Sequence, residues 1–238
     1  CSIANSLWTD PEGRMQEDFV GRCSGIFDAQ VFQEDLSAPV IVPALNSWVS
    51  DHTAGMIPQI IQRPFGEDAA ALMVNALYLK NTWAAKFDPS DTITRDFTRA
   101  DGTAEPLDFL QHFSRSLTYL QSGSDEGVLL PYDDGRLAFF ALMPRQSSGV
   151  PDFERWLSSL PGEGLSALLS GRDETFFLRL SLPKFEQEWS GELKDALAAL
   201  GLTDAFDPDL ADFSLLGDDP RGYYLSQVIH AARIEVNE

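Results

Sequence analysis

Apolar residues along the chain fall into short alternating runs and a few runs at helical spacing, punctuated by Gly, Pro and Asp. Ser2 to Trp8 reads as a strand, broken at Pro11 to Gly13, with a helical stretch around Met15 to Cys23 and a strand over Phe27 to Phe32. From Leu36 to Thr53 the residues Val42, Leu45, Trp48 and Val49 recur at helical spacing, and Gly55 supplies a stop. That helix is amphipathic and should lie on something. Ala69 to Leu79 is apolar on both faces, which predicts a strand in a sheet covered on both sides. Asn75 stands in its middle, where an unpaired amide would cost about 1–3 kcal/mol.

Further on, Val128 to Tyr132 and Leu137 to Met143 flank Asp133-Asp134-Gly135-Arg136, a hairpin signal. Phe153 to Leu160 and Gly164 to Leu169 read as short helices. Phe176, Leu178, Leu180 and Leu182 alternate with Phe177, Arg179 and Ser181 in a half-buried strand ended by Pro183. Ser190 is placed as the N-cap of a helix carrying Leu193, Ala196, Leu197 and Leu200, with Gly201 as its left-handed stop. An acidic loop follows, with Asp204, Asp207, Asp209, Asp212, Asp218 and Asp219. Leu225 to Val236 is the last predicted strand, with Val228, His230, Ala232, Ile234 and Val236 on one face, so His230 is expected to be buried. Strands and helices mix without regular βαβ alternation, which makes the fold class α+β, in one domain over residues 1–238.

Charge narrows the function. Acids outnumber bases 37 to 17, a net charge of −20, and the four Lys and thirteen Arg are scattered. Such a surface repels phosphate backbones and anionic lipid heads, which argues against nucleic-acid or membrane-surface binding, and it attracts cationic partners. Cys1 and Cys23 cannot form a disulfide framework, and no CxxC or Cys/His ligand cluster occurs. No apolar run has the length of a membrane span, and no signal peptide is present. The chain starts without Met and ends inside a strand pattern, so it is read as a piece of a longer protein.

Catalytic constellations are missing from the pattern. There is no GxSxG, HExxH, P-loop or GxGxxG, and the acidic loop lacks calcium-loop spacing. The histidines are His52, His112 and His230. A single His on an apolar strand face is usually a satisfied core residue, and Asn75 and His230 could satisfy each other if their strands neighbour. Trp48 and Trp83 read as packing residues. Lys184 and Glu238 read as ordinary surface charges. No catalytic residue, metal ligand or cofactor is assigned; a hydrolase using His230 is the competing enzymatic reading.

Nine segments in order resemble the serpin family. They are Ile3-Ala-Asn-Ser-Leu-Trp8, Asn46-Ser-Trp-Val-Ser-Asp-His-Thr-Ala-Gly-Met-Ile57, Leu72-Met-Val-Asn-Ala-Leu-Tyr-Leu-Lys-Asn-Thr-Trp83 and Phe87-Asp-Pro-Ser-Asp-Thr92. Leu129-Leu-Pro-Tyr132, Leu182-Pro-Lys-Phe185, Leu200-Gly-Leu-Thr-Asp-Ala-Phe206, Ala211-Asp-Phe213 and the run from Ser226 to Glu238 complete the set. The departures are Phe109-Leu110, where paired methionines are common, and Asn81, where Gly is frequent.

The resemblance implies a large, mostly antiparallel central sheet with further sheets and surrounding helices. It makes Ile3 to Trp8 a central strand and Leu36 to Thr53 the helix across the sheet. Ala69 to Leu79 and Leu225 to Glu238 become neighbouring strands that part during inhibition. It assigns Asn75 and His230 to the "shutter", and Trp83, Thr92, Lys184 and Glu238 to the "breach", with a Lys184–Glu238 salt bridge. It implies a monomeric suicide-substrate inhibitor, extracellular or periplasmic, whose partner is a serine or cysteine protease. That protease would be met through a reactive loop absent from these residues, as would be the preceding helices and the closing strands. The alternative is a non-inhibitory serpin serving as carrier, chaperone or storage protein.

Overall fold

The computed structural model describes residues 2–99, 101–114, 117–123, 125–145, 150–160, 162–173, 177–218 and 222–238. Two compact units emerge, one from residues 1–80 and 187–234, the other from residues 81–186 and 235–238.

The first unit is built on three strands. β1 (Ser2–Thr9) runs parallel to β2 (Ala29–Gln33) on one side and antiparallel to β3 (Ala71–Tyr78) on the other. Helix α1 (Glu17–Phe27) joins β1 to β2 and ends at Asp28, whose φ of 50° is left-handed. α2 (Ile41–His52) lies on the sheet and buries Ile41, Leu45, Trp48 and Val49 against Trp8 and Ala76, with Leu72 and Val74 half-buried beside them. α2 starts at Ile41, five residues later than the predicted start at Leu36, for a local reason. Asp35 accepts hydrogen bonds from the backbone N–H groups of Ser37 and Ala38, which fixes a turn before the helix, and Leu36 is buried. Its end is as read: the Gly55 N–H reaches the Ser50 carbonyl at 2.8 Å with φ 79°.

Among the described residues only one face of β3 is covered. Leu72, Val74 and Ala76 face α2, while Met73 and Leu77 on the other face are 60% and 61% exposed. The expectation of a strand buried on both faces is therefore corrected, because apolar content does not say how many layers are present.

The same unit holds α5 (Lys194–Ala199) and most of β12 (Ile229–Val236). Ser190 lies within strand β11 (Phe185–Glu192), not at a helix cap, and α5 starts after Leu193 with no side-chain cap. The Gly201 stop holds, with φ 101° and the Leu202 N–H bonded to the Leu197 carbonyl. In the acidic loop Asp207 and Asp212 accept hydrogen bonds from residues two positions on, the pattern of solvated turns; Asp219 is outside the described residues.

In the second unit β4 (Ile93–Thr98), β5 (Ala104–Ser114) and β10 (Leu178–Pro183) form an antiparallel sheet in the order β10-β5-β4. A further sheet, ordered β8-β7-β6-β9, contains β6 (Thr118–Ser122), β7 (Asp125–Pro131), β8 (Ala138–Pro144) and β9 (Arg172–Asp173). The hairpin between β7 and β8 turns at Gly135, φ 65°, as its Asp-Gly signal indicates. Helices α3 (Val150–Ser159) and α4 (Gly162–Ser170) pack against this sheet. Phe176, expected in β10, is outside the described residues.

Candidate functional site

At the end of β12 four predicted residues come together. The Lys184 ammonium donates to the Glu238 carboxylate at 2.7 Å, and the Thr92 hydroxyl donates to its other oxygen at 2.9 Å. The Trp83 indole N–H donates to the Asn237 carbonyl at 2.7 Å. Each comes from a position fixed by its own local contacts. Lys184 follows β10 and bonds through its backbone N–H to the Asp108 carbonyl on β5 at 2.7 Å. Thr92 follows a short 3-10 turn whose Asp88 side chain accepts from Ser90. Trp83 is buried among Phe87, Tyr132 and Phe139, stacking on Tyr132 at 5.1 Å. The Lys184 hydrogen bond first, and the Thr92 hydroxyl second, hold the Glu238 carboxyl below its ordinary range. The two charged side chains remain 31% and 22% exposed, so the pair orders the chain more than it stabilises it.

The pairing of Asn75 with His230 is not formed. Asn75 lies opposite Asn5 in the β1–β3 ladder and donates to its side-chain oxygen at 2.8 Å, while Asn5 donates to the Phe27 carbonyl at 2.7 Å. His230 is exposed, not buried, and tilts against Trp189 of β11 at 5.8 Å. The reason lies in the facing of β12. Ile229 packs on the α2 core and Arg233 donates to the Met56 carbonyl, so the odd-numbered residues turn toward α2 and His230 turns away. Among the described residues β3 pairs only with β1, and β12 only with β11. Both strands therefore carry a free edge, and the expected neighbours are not hydrogen-bonded to one another.

The other two histidines are not among these groups. His52 stacks on Trp48 and His112 meets the Phe87 edge, each in its own aromatic setting. Among the described residues no three His, Cys, Asp or Glu side chains could hold a metal ion. Sequence reasoning missed Asn46, whose side chain accepts from the Ile60 and Ile61 N–H groups at 2.8 and 3.1 Å and donates to the Ile61 carbonyl at 2.9 Å. It ties the loop after α2 back onto the helix; its position within an apolar helical stripe was the available signal.

The family profile described as "Serpin (serine protease inhibitor)" matches residues 1–238. Serpin B10 of Sorex araneus is 31% identical over 197 residues, 82% of this chain and 49% of that protein. Serine protease inhibitor 42Dd of Drosophila melanogaster is 29% identical over 239 residues, 99% of this chain and 62% of that protein. The crystal structure of the thermophilic serpin tengpin in its native state superposes with a TM-score of 0.85 at 28% identity, over 99% of this chain and 59% of tengpin. The chain thus spans about half to three-fifths of the length of these relatives. With the profile matching residues 1–238, and the α+β architecture shared, the chain belongs to the serpin family.

Proposed function

We propose that these residues are the sheet-bearing part of an inhibitory serpin, a suicide-substrate inhibitor of a serine or cysteine protease. The observation that carries the proposal is the pair of free edges. Among the described residues β3 and β12 both border the α2 core, each hydrogen-bonded on one side only. An extended segment entering there gains ladder bonds along both strands, the mode of strand addition for which serpin loop insertion is a known example. Glu238, held by Lys184 and Thr92 beneath Trp83, fixes where the chain leaves β12 and hence where insertion starts. Asn75 and His230 serve as the shutter when β3 and β12 close directly on one another.

In this reading the protease nucleophile attacks a loop peptide bond and the new amino terminus departs, leaving an acyl-enzyme. Insertion of the cleaved loop then distorts the protease before water completes hydrolysis. The chemistry is the protease's own; this chain contributes no catalytic group. It acts as part of one domain, as a monomer, in an extracellular or periplasmic setting. Among the described residues no helix is long and apolar enough to cross a membrane.

The test is to incubate the full-length protein with serine and cysteine proteases. A complex resistant to boiling in detergent, together with a rise of tens of degrees in melting temperature on loop cleavage, is expected. Cleavage with an unchanged melting temperature overturns inhibition and supports a carrier or storage role.

A further inference from the structure

The last turn of α2 carries a closed ring of polar contacts with β2. The Trp48 indole N–H donates to Gln30 Oε1 at 2.9 Å. Gln30 Nε2 lies 3.3 Å from His52 Nε2, and His52 Nδ1 lies 2.7 Å from the Trp48 carbonyl oxygen. The indole and imidazole rings stack at 4.2 Å and 27°. Counting donors assigns every proton. A carbonyl only accepts, so Nδ1 carries the hydrogen. An indole N–H only donates, so Gln30 presents its oxygen to Trp48 and its NH2 to His52, and Nε2 accepts. All groups are satisfied in a single arrangement, with His52 neutral and protonated at Nδ1.

We propose that this ring is a proton-operated clamp that holds the C-terminal end of α2 to β2. A second proton, on Nε2, meets the Gln30 NH2 donor against donor. Turning the amide restores a bond to His52 but sets its NH2 against the Trp48 N–H, and Trp48 is only 6% exposed. Three hydrogen bonds become two in either case. Once protonated, the imidazolium keeps its Nδ1–H bond to the Trp48 carbonyl, so the contact with the amide is the one that yields. The charged groups on the surrounding elements are Asp51, beside His52 on α2, Asp28, just before β2, and Glu17, Asp18 and Arg22 on α1, which packs on β2. Asp18 is paired with Arg22, and β2 itself has no ionisable side chain. Among the described residues none of these carboxylates bonds to the imidazole, so none replaces the lost contact.

The clamp stands on the packing of α2 alone and needs no inserted strand. Its consequence for the inhibitory reading is that mild acid loosens the helix that lies across the sheet.

Nuclear magnetic resonance on the full-length protein tests it without a variant. At pH 8 the imidazole nitrogens of His52 should report the Nδ1–H tautomer; the Nε2–H tautomer overturns the proposal. Hydrogen exchange then follows the Trp48 indole N–H and the amides of residues 49–53, corrected for intrinsic rates. From pH 8 to pH 5, where histidine gains its proton, protection should fall about three- to tenfold, the worth of one hydrogen bond. Gln30→Glu, whose carboxylate accepts from both rings, should keep or gain protection at pH 5, and His52→Phe should be flat. A wild-type profile as flat as that of His52→Phe, or a Gln30→Glu profile falling like the wild type, overturns the clamp.

Discussion

Asn46 and Glu238 show how much one side chain can order. Asn46 makes three hydrogen bonds to the backbone at residues 60 and 61 from a part-buried position. Asn46→Ala leaves two N–H groups and a carbonyl without that partner, and should lower stability by about 2 kcal/mol in urea melts; a change under about 0.5 kcal/mol would show that water takes its place. Glu238 contributes through charge. Its carboxyl titrates below the ordinary range because Lys184, then Thr92, bond to its ionised form. A carboxyl depressed in the folded state stabilises fully above its unfolded value, about pH 4.3, and that contribution is lost as pH falls through the lower folded value. Lys184→Met should therefore flatten stability between roughly pH 5 and pH 3, while lowering it at pH 7 by no more than about 1 kcal/mol, since the pair is part-exposed. Thermal melts across that range decide it; equal acid sensitivity in both proteins removes the role.

Helix α2 is the element on which the first unit depends. Its stripe of Ile41, Leu45, Trp48 and Val49 meets β1 and β3 from one side. Leu45 is 2% exposed, and Leu45→Ala should cost about 3 kcal/mol, measured by denaturant unfolding. The stripe, the Gly55 stop and the amphipathic character were legible in the sequence, because a 3.6-residue period records one buried face directly. The period-2 pattern of β12 misled. It assigned His230 to the buried side, yet Ile229 and Arg233 face the α2 block. Alternation separates two faces of a strand but does not say which one meets the core when both carry apolar residues.

For the molecule as a whole, charge is the dominant long-range term. A net charge of −20 over 238 residues makes the folded state repel itself, and salt screens that repulsion within about 10 Å at 0.1 M. Raising NaCl from 20 mM to 300 mM at pH 7.5 should increase the melting temperature by about 2–4 °C, the shift that roughly 1 kcal/mol produces at this size. A decrease would mean that attractive ion pairs outweigh the excess of acids.

The order and type of most elements and the turns at Gly55, Gly135 and Gly201 were legible along the chain, and the family resemblance pointed to the residues gathered around Glu238. Those features depend on local periodicity, on left-handed backbone positions and on an ordered series of motifs, all readable along one dimension. Packing settled that Asn75 bonds Asn5 in place of His230, that among the described residues β3 and β12 each keep an open edge, and that Gln30 closes a ring with Trp48 and His52. These are contacts between residues distant along the chain. A polar side chain takes whichever partner the packed backbone brings within about 3 Å, and that distance is set by the assembled layers.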